Sequence, residues 1–184
     1  MSFKSPLRRA FFVPVIVIDR LMYNHFQYAE QLARSLKSIG HRDDDRHFLK
    51  FDETAELEDL ALLTSSISGM LLVAIDGLNS DFGLNGADGL TDTPQYFIVI
   101  LKDCPQGDLD LYHSTKQSCK TVAEECLKRM LIDRYNEVNG LEHLDTESIT
   151  CRGVGPIGDN FYGVLLGFTL TNPRNYQLNP DMWL

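Results

Sequence analysis

GMLLVAIDGLNSDFGLNGADGLTDTPQYFIVIL, residues Gly69 to Leu101, decides the fold, because it sets two unbroken apolar runs on either side of a long, mostly polar interval. Met70–Ile75 and Tyr96–Leu101 have strand length and no charge, the pattern of central strands. Asp76–Gln95, between them, contains Gly77, Gly83, Gly86 and Gly89 and reads as a loop unusually long for a hairpin. Loops of that length generally serve a function or are disordered.

Upstream, Met22, Phe26, Ala29, Ala33 and Leu36 step by threes and fours, which predicts a helix over 21–39 with Gly40 as its C-cap. Phe11–Ile18 is β-branched and interrupted by Pro14, so it suits an edge strand or an extended arm. His47–Phe51 is a short strand candidate. Asp52 and Thr54 open an acidic stretch in which Leu57, Leu60, Ala61 and Ile67 predict a second, shorter helix.

Downstream, Cys119, Val122, Ala123, Cys126, Leu127 and Met130 predict a long helix over 113–138, ended by Asn139-Gly140. Ser148–Arg152 and Phe161–Leu170 read as strands around a glycine-rich turn, Gly153–Asn160, and the chain is polar and irregular from Asn172 onward. Strands and helices do not alternate, so the expected class is α+β: a mostly antiparallel sheet flanked by helices, with a long hairpin loop and extended terminal arms. The chain divides into an N-terminal apolar arm (1–20), one α+β domain (21–171) and a C-terminal docking tail (172–184).

A chain of 184 residues, 43% hydrophobic and 23% charged, has the size and balance of one globular domain. Its 17 Lys and Arg against 26 Asp and Glu give a net charge of −9, which argues against sequence-specific nucleic-acid binding and against an anionic membrane, since phosphates need a basic surface. About half of that charge is local. Arg42–Leu60 holds eight acidic and three basic residues, a net −5. The four cysteines show no CxxC spacing and read as reduced thiols, which fits a cytosolic environment. Lys4, Arg8 and Arg9 before Phe11–Ile18 imitate a secretory signal, yet Pro14 and the closing Asp19-Arg20 do not fit one.

Gly153-Val-Gly155-Pro-Ile-Gly158 matches the GxGxxG dinucleotide pattern, but strand-like sequence follows it instead of the helix whose amides face a pyrophosphate. His41–His47 gathers two imidazoles and three carboxylates, with two arginines among them, and reads as a solvated loop. Asn79, Asp81, Asn85 and Asp88 are oxygen donors without EF-hand spacing. No GxSxG elbow is present, and Cys119, near His113, falls on an apolar helix face. No catalytic, cofactor-binding or metal-binding residue is therefore assigned, and no cofactor is expected. What remains is a set of surfaces.

The closing segment Gly155-Pro-Ile-Gly-Asp-Asn-Phe-Tyr-Gly163, running into Val164–Leu170 and Asn172-Pro173, resembles the terminal hairpin of phage tail terminator and tail-completion proteins. Chain size, the early helix, the long helix before the final strands and the extended middle loop share in that likeness. The resemblance implies a non-enzymatic virion component, assembled in a host bacterial cytoplasm as a homo-oligomeric ring, usually a hexamer in that group, that joins tail tube to neck without a membrane. It places Phe11, Phe12, Val15, Leu84, Leu90, Tyr176, Met182 and Trp183 in subunit contacts. Asp43, Asp44, Asp45, Glu56 and Asp59 become candidates for an acidic lumen that lets DNA pass. Two alternatives stand beside it: a small cytosolic nucleotide-binding enzyme using the Gly153–Gly158 loop, and an acidic binding or inhibitor module.

Overall fold

In the computed structural model, which describes residues 22–52, 64, 67–84, 89–105, 108–158, 160–174 and 178–183, the apolar run at Tyr96 is the inner half of a longer strand. The strands are β1 (Phe48–Phe51), β2 (Met70–Ile75), β3 (Ser80–Leu84), β4 (Leu90–Asp103), β5 (Leu144–Ile157), β6 (Phe161–Leu170) and β7 (Asn172–Arg174). The helices among the described residues are α1 (His25–Ser35) and α2 (Leu109–Tyr135), with 3-10 turns at Leu141–His143 and Pro180–Met182. The main sheet runs β1-β2-β4-β6-β5; β1 and β2 are parallel and every other described pairing is antiparallel. The fold is α+β with a mostly antiparallel sheet.

Both helices cover one face. Leu72, Ala74, Ile98, Ile100, Val164, Leu166 and Phe168 meet Ala29 and Leu32 of α1 and Cys119, Ala123, Cys126 and Met130 of α2 in the larger core cluster. The opposite face carries Leu49, Phe51, Leu71, Val73, Val99, Leu101 and Phe161, also buried. Burial on both sides is why β2 is an unbroken apolar run and why its observed ends coincide with those expected. In β6, Gly163 is required by packing: a Cβ there would stand 1.8 Å from the Ile100 carbonyl oxygen.

Several expectations are corrected. The helix expected over 21–39 begins where Asn24 accepts a hydrogen bond from the Gln27 amide (3.0 Å) and ends at Ser35. Gly40 does adopt the left-handed conformation (φ 62°), but it closes a turn beyond the helix by donating to Leu36 O (2.8 Å). Helix α2 starts four residues before the expected His113 because Asp108 caps it, accepting from the Asp110 amide at 2.9 Å. The interval read as a long loop is largely strand, β3 and the first half of β4. Of the expected glycine-rich turn Gly153–Asn160, residues 153–157 are the end of β5 and the turn itself begins at Gly158, and residues 172–174, expected to be irregular, pair with β4. The second helix expected between Asp52 and Ile67, and the arm at Phe11–Ile18, lie largely or wholly outside the described residues.

Candidate functional site

The outer half of β4 leaves the core and becomes the middle of a three-stranded finger. Its residues 90–94 pair with β3 on one side, from Ser80↔Pro94 to Leu84↔Leu90, and residues 90–92 pair with β7 on the other. At the rise of an extended chain, five residues give the finger a length of about 17 Å. The pairings put Ser80, Phe82 and Leu84 on one face with Leu90, Asp92 and Arg174. Asp92 is buried there, accepting from Ser80 Oγ and from Arg174 Nε (2.9 Å) and Nη2 (2.5 Å). Burial alone would raise the Asp92 pKa, but those donors outweigh it and hold the carboxyl below its usual range. One carboxylate thus ties all three strands together.

Around that tie, apolar side chains face water. Phe82 and Leu84 are each 70% exposed, and Leu78, at the foot of β3, is 85% exposed. Covering such side chains stabilises by about 1.5–3 kcal/mol each, so a partner surface has much to gain here. Of the contact residues expected from sequence, Leu84 is on the finger and exposed, and Leu90 beside it is half-buried. Met182 and Trp183 are exposed on the Pro180–Met182 turn together with Leu178. Phe11, Phe12, Val15 and Tyr176 lie outside the described residues. Sequence reasoning did not single out Phe82 or the Ser80–Asp92–Arg174 tie; the period-two spacing of Ser80, Phe82 and Leu84 was the available signal.

The acidic candidates are only partly free. Asp43 pairs with Arg34 at 2.5 Å, and Arg34 with Glu30 at 2.9 Å, while Asp45 contacts His47 Nε2 at 3.0 Å. Hydrogen bonding to Arg34 holds the Asp43 carboxyl below its usual range. Asp44 is exposed; Glu56 and Asp59 lie outside the described residues.

At the base of the finger lies a cavity of about 230 Å³, lined in part by Tyr23, Tyr96, Glu142, His143, Asn172 and Arg174. Behind its aromatic wall, His25 stacks on Tyr96 with ring centroids 4.9 Å apart. A carbonyl only accepts, so His25 Nε2 donates to Phe97 O (3.0 Å) and Nδ1 accepts from the Tyr23 hydroxyl (3.0 Å). Both nitrogens are used by a neutral ring. Burial lowers the His25 pKa to about 4, against the opposing pull of the Phe97 carbonyl and Asp76. This imidazole holds the finger base to α1 and has no free nitrogen for catalysis.

Elsewhere the chemistry is that of packing. Tyr28 donates to Asp133 Oδ2 at 2.8 Å and Arg129 Nε to the same oxygen at 2.9 Å, joining α1 to α2 through a buried carboxylate. Burial pushes the Cys119 and Cys126 thiols up to about 11 and about 12, which makes them inert. Gly153 and Gly155 are in β5, and β6 follows the turn at Gly158, so the GxGxxG segment opens no helix. A Cβ on Gly155 would meet Phe161 O at 2.7 Å, so that glycine serves the hairpin. Of the four oxygen donors considered for calcium, Asn85 and Asp88 lie outside the described residues, while Asn79 and Asp81 flank Ser80. Among the described residues no group of three or more His, Cys, Asp or Glu could hold a metal ion, and no helix is long and apolar enough to cross a membrane.

No protein-family model, curated protein or solved structure matches the chain.

Proposed function

We propose that this protein is a structural subunit of a phage-like tail, a tail terminator or tail-completion protein that forms a ring between tail tube and neck. The observation that carries the reading is the finger: a ribbon tied by Ser80, Asp92 and Arg174 that presents Leu78, Phe82 and Leu84 to water from a base of sheet and helices. A subunit that works by contact needs such a reaching element, and a ring needs two different patches on each copy. The exposed Leu178, Met182 and Trp183 form a second apolar surface suited to a neighbouring tail or neck protein. The nucleotide-binding alternative loses its physical basis, because the amides of the Gly153–Gly158 segment belong to a strand hairpin and not to a helix N-terminus.

Electron microscopy of particles made without the protein tests this reading. Tails of uncontrolled length, or tails detached from heads, are expected. Normal tails joined to heads overturn it.

A further inference from the structure

We infer that copies of this chain join head to tail, the free β3 edge of one finger adding to the free β5 edge of the next copy. The inference rests on the ring reading and names its interface. Among the described residues β3 has β4 as its strand partner and β5 has β6, so each keeps one edge of unpaired backbone groups. Such edges are templates for another strand.

The two edges are diagonally opposed. The finger extends from the end of the sheet where Tyr96 faces Phe168, whereas Gly153–Ile157 lies at the other end, beside Phe161–Val164, and on the far side of β4. They also differ in charge. On the finger, Asp92 is neutralised by Arg174, which among the described residues of β3 leaves the exposed Asp81 as the charge. On the β5 edge, Arg152 pairs with Leu165 and so lies on the face away from the helices, while Lys116 stands over Gly153 on the helix face, its Cδ 3.6 Å from where a Cβ would be. Lys120 and Glu124 act on Cys151 from α2 in opposite directions. On the helix face, Lys116 and Lys120 against Glu124 therefore flank Cys151–Gly153, the part of β5 that would receive Asp81, and the strand's own Asp145 and Glu147 lie toward its other end. Because side chains alternate along a strand, Asp81 on that face sets Phe82 and Leu84 on the other, where the half-buried Val154 and Ile157 offer apolar surface.

A two-fold dimer through either patch would set like against like, Asp81 facing Asp81 or Lys120 facing Lys120. Pairing unlike patches is heterologous, and it closes into a ring when the rotation between copies allows.

The full-length protein carries its own probe, because Cys151 is exposed on β5 while the other three cysteines are buried. With Asp81→Cys, mild copper-phenanthroline oxidation should yield a ladder of covalent multimers on a non-reducing gel, absent when Cys151→Ser is added. Native mass measurement should find an oligomer for the unaltered chain. Asp81→Lys and Lys120→Glu should each weaken assembly at least tenfold, and their combination should restore it. These positions are exposed, and far-UV circular dichroism checks that each variant folds. An oligomer whose mass ignores both charge reversals, with no ladder, overturns this interface and leaves the ring reading standing. A monomer at every concentration overturns the ring reading as well.

Discussion

The two halves of β4 have the same backbone geometry and opposite surroundings. From Ile98 to Leu101 every side chain is buried, between the helices on one face and the Leu71–Val73–Phe161 cluster on the other. From Leu90 to Gln95 the strand is paired on both edges for much of its length, yet Asp92 is its only buried residue. In the inner half, apolar packing selects the residues. In the outer half, hydrogen bonds and one charged tie hold a ribbon that has no core of its own. A single strand thus carries both the stability of the domain and the surface it offers to others.

Three changes would break or sharpen that contrast. The largest effect is expected from Gly163→Ala, which forces a Cβ onto the Ile100 carbonyl in the inner half. It should cost at least about 3 kcal/mol in urea unfolding, or prevent folding, because the obstacle is backbone. An unchanged midpoint would show that β4 and β6 can separate at little cost.

The next effect is a pH dependence at the junction of the halves. His25 titrates near 6.5 when unfolded and at about 4 in the fold, so the unfolded chain binds the extra proton between those values. Its contribution is therefore complete above pH 6.5, falls as the pH drops toward 4, and amounts to about 3 kcal/mol. Unfolding curves for the unaltered chain and His25→Gln should differ in slope across that window and run parallel above it. Parallel curves throughout would sink the assignment of a neutral, doubly bonded ring.

The smallest effect on the whole molecule should come from Arg174→Ala. Loss of its bonds to Asp92 should speed amide exchange in β3 and β7 about tenfold or more, since bonds to a charged group contribute about 1.5–3 kcal/mol. Exchange at Leu71–Ala74 should not change. Equal acceleration in both regions would mean that finger and core open together.

The same contrast explains what the sequence could disclose. Strand β2 and helix α2 were legible because their side chains meet apolar neighbours, on both faces for β2 and at helical spacing for Cys119, Cys126 and Met130. The finger was not, because its glycines resemble loop punctuation and its single apolar face is short. Strand β5 was half hidden for a related reason: it is an edge strand, exposed over most of Glu147–Pro156, and pairing with β6 rather than its own pattern keeps it extended. The candidate contacts Leu84 and Leu90 were found as apolar residues in an unexplained interval. The bond from Arg174 to Asp92 spans 82 positions, and nothing local announces it.

The continuity of β4 also has a mechanical meaning. A pull on the tip of the finger along its axis acts on a strand bonded at both edges, so neighbouring hydrogen bonds share the load in shear instead of parting one after another. Force applied at Leu84 or Leu90 is thereby delivered to Phe97–Leu101 in the middle of the sheet. The finger is in effect a rigid lever rooted in the domain, and whatever grips its tip also grips the core.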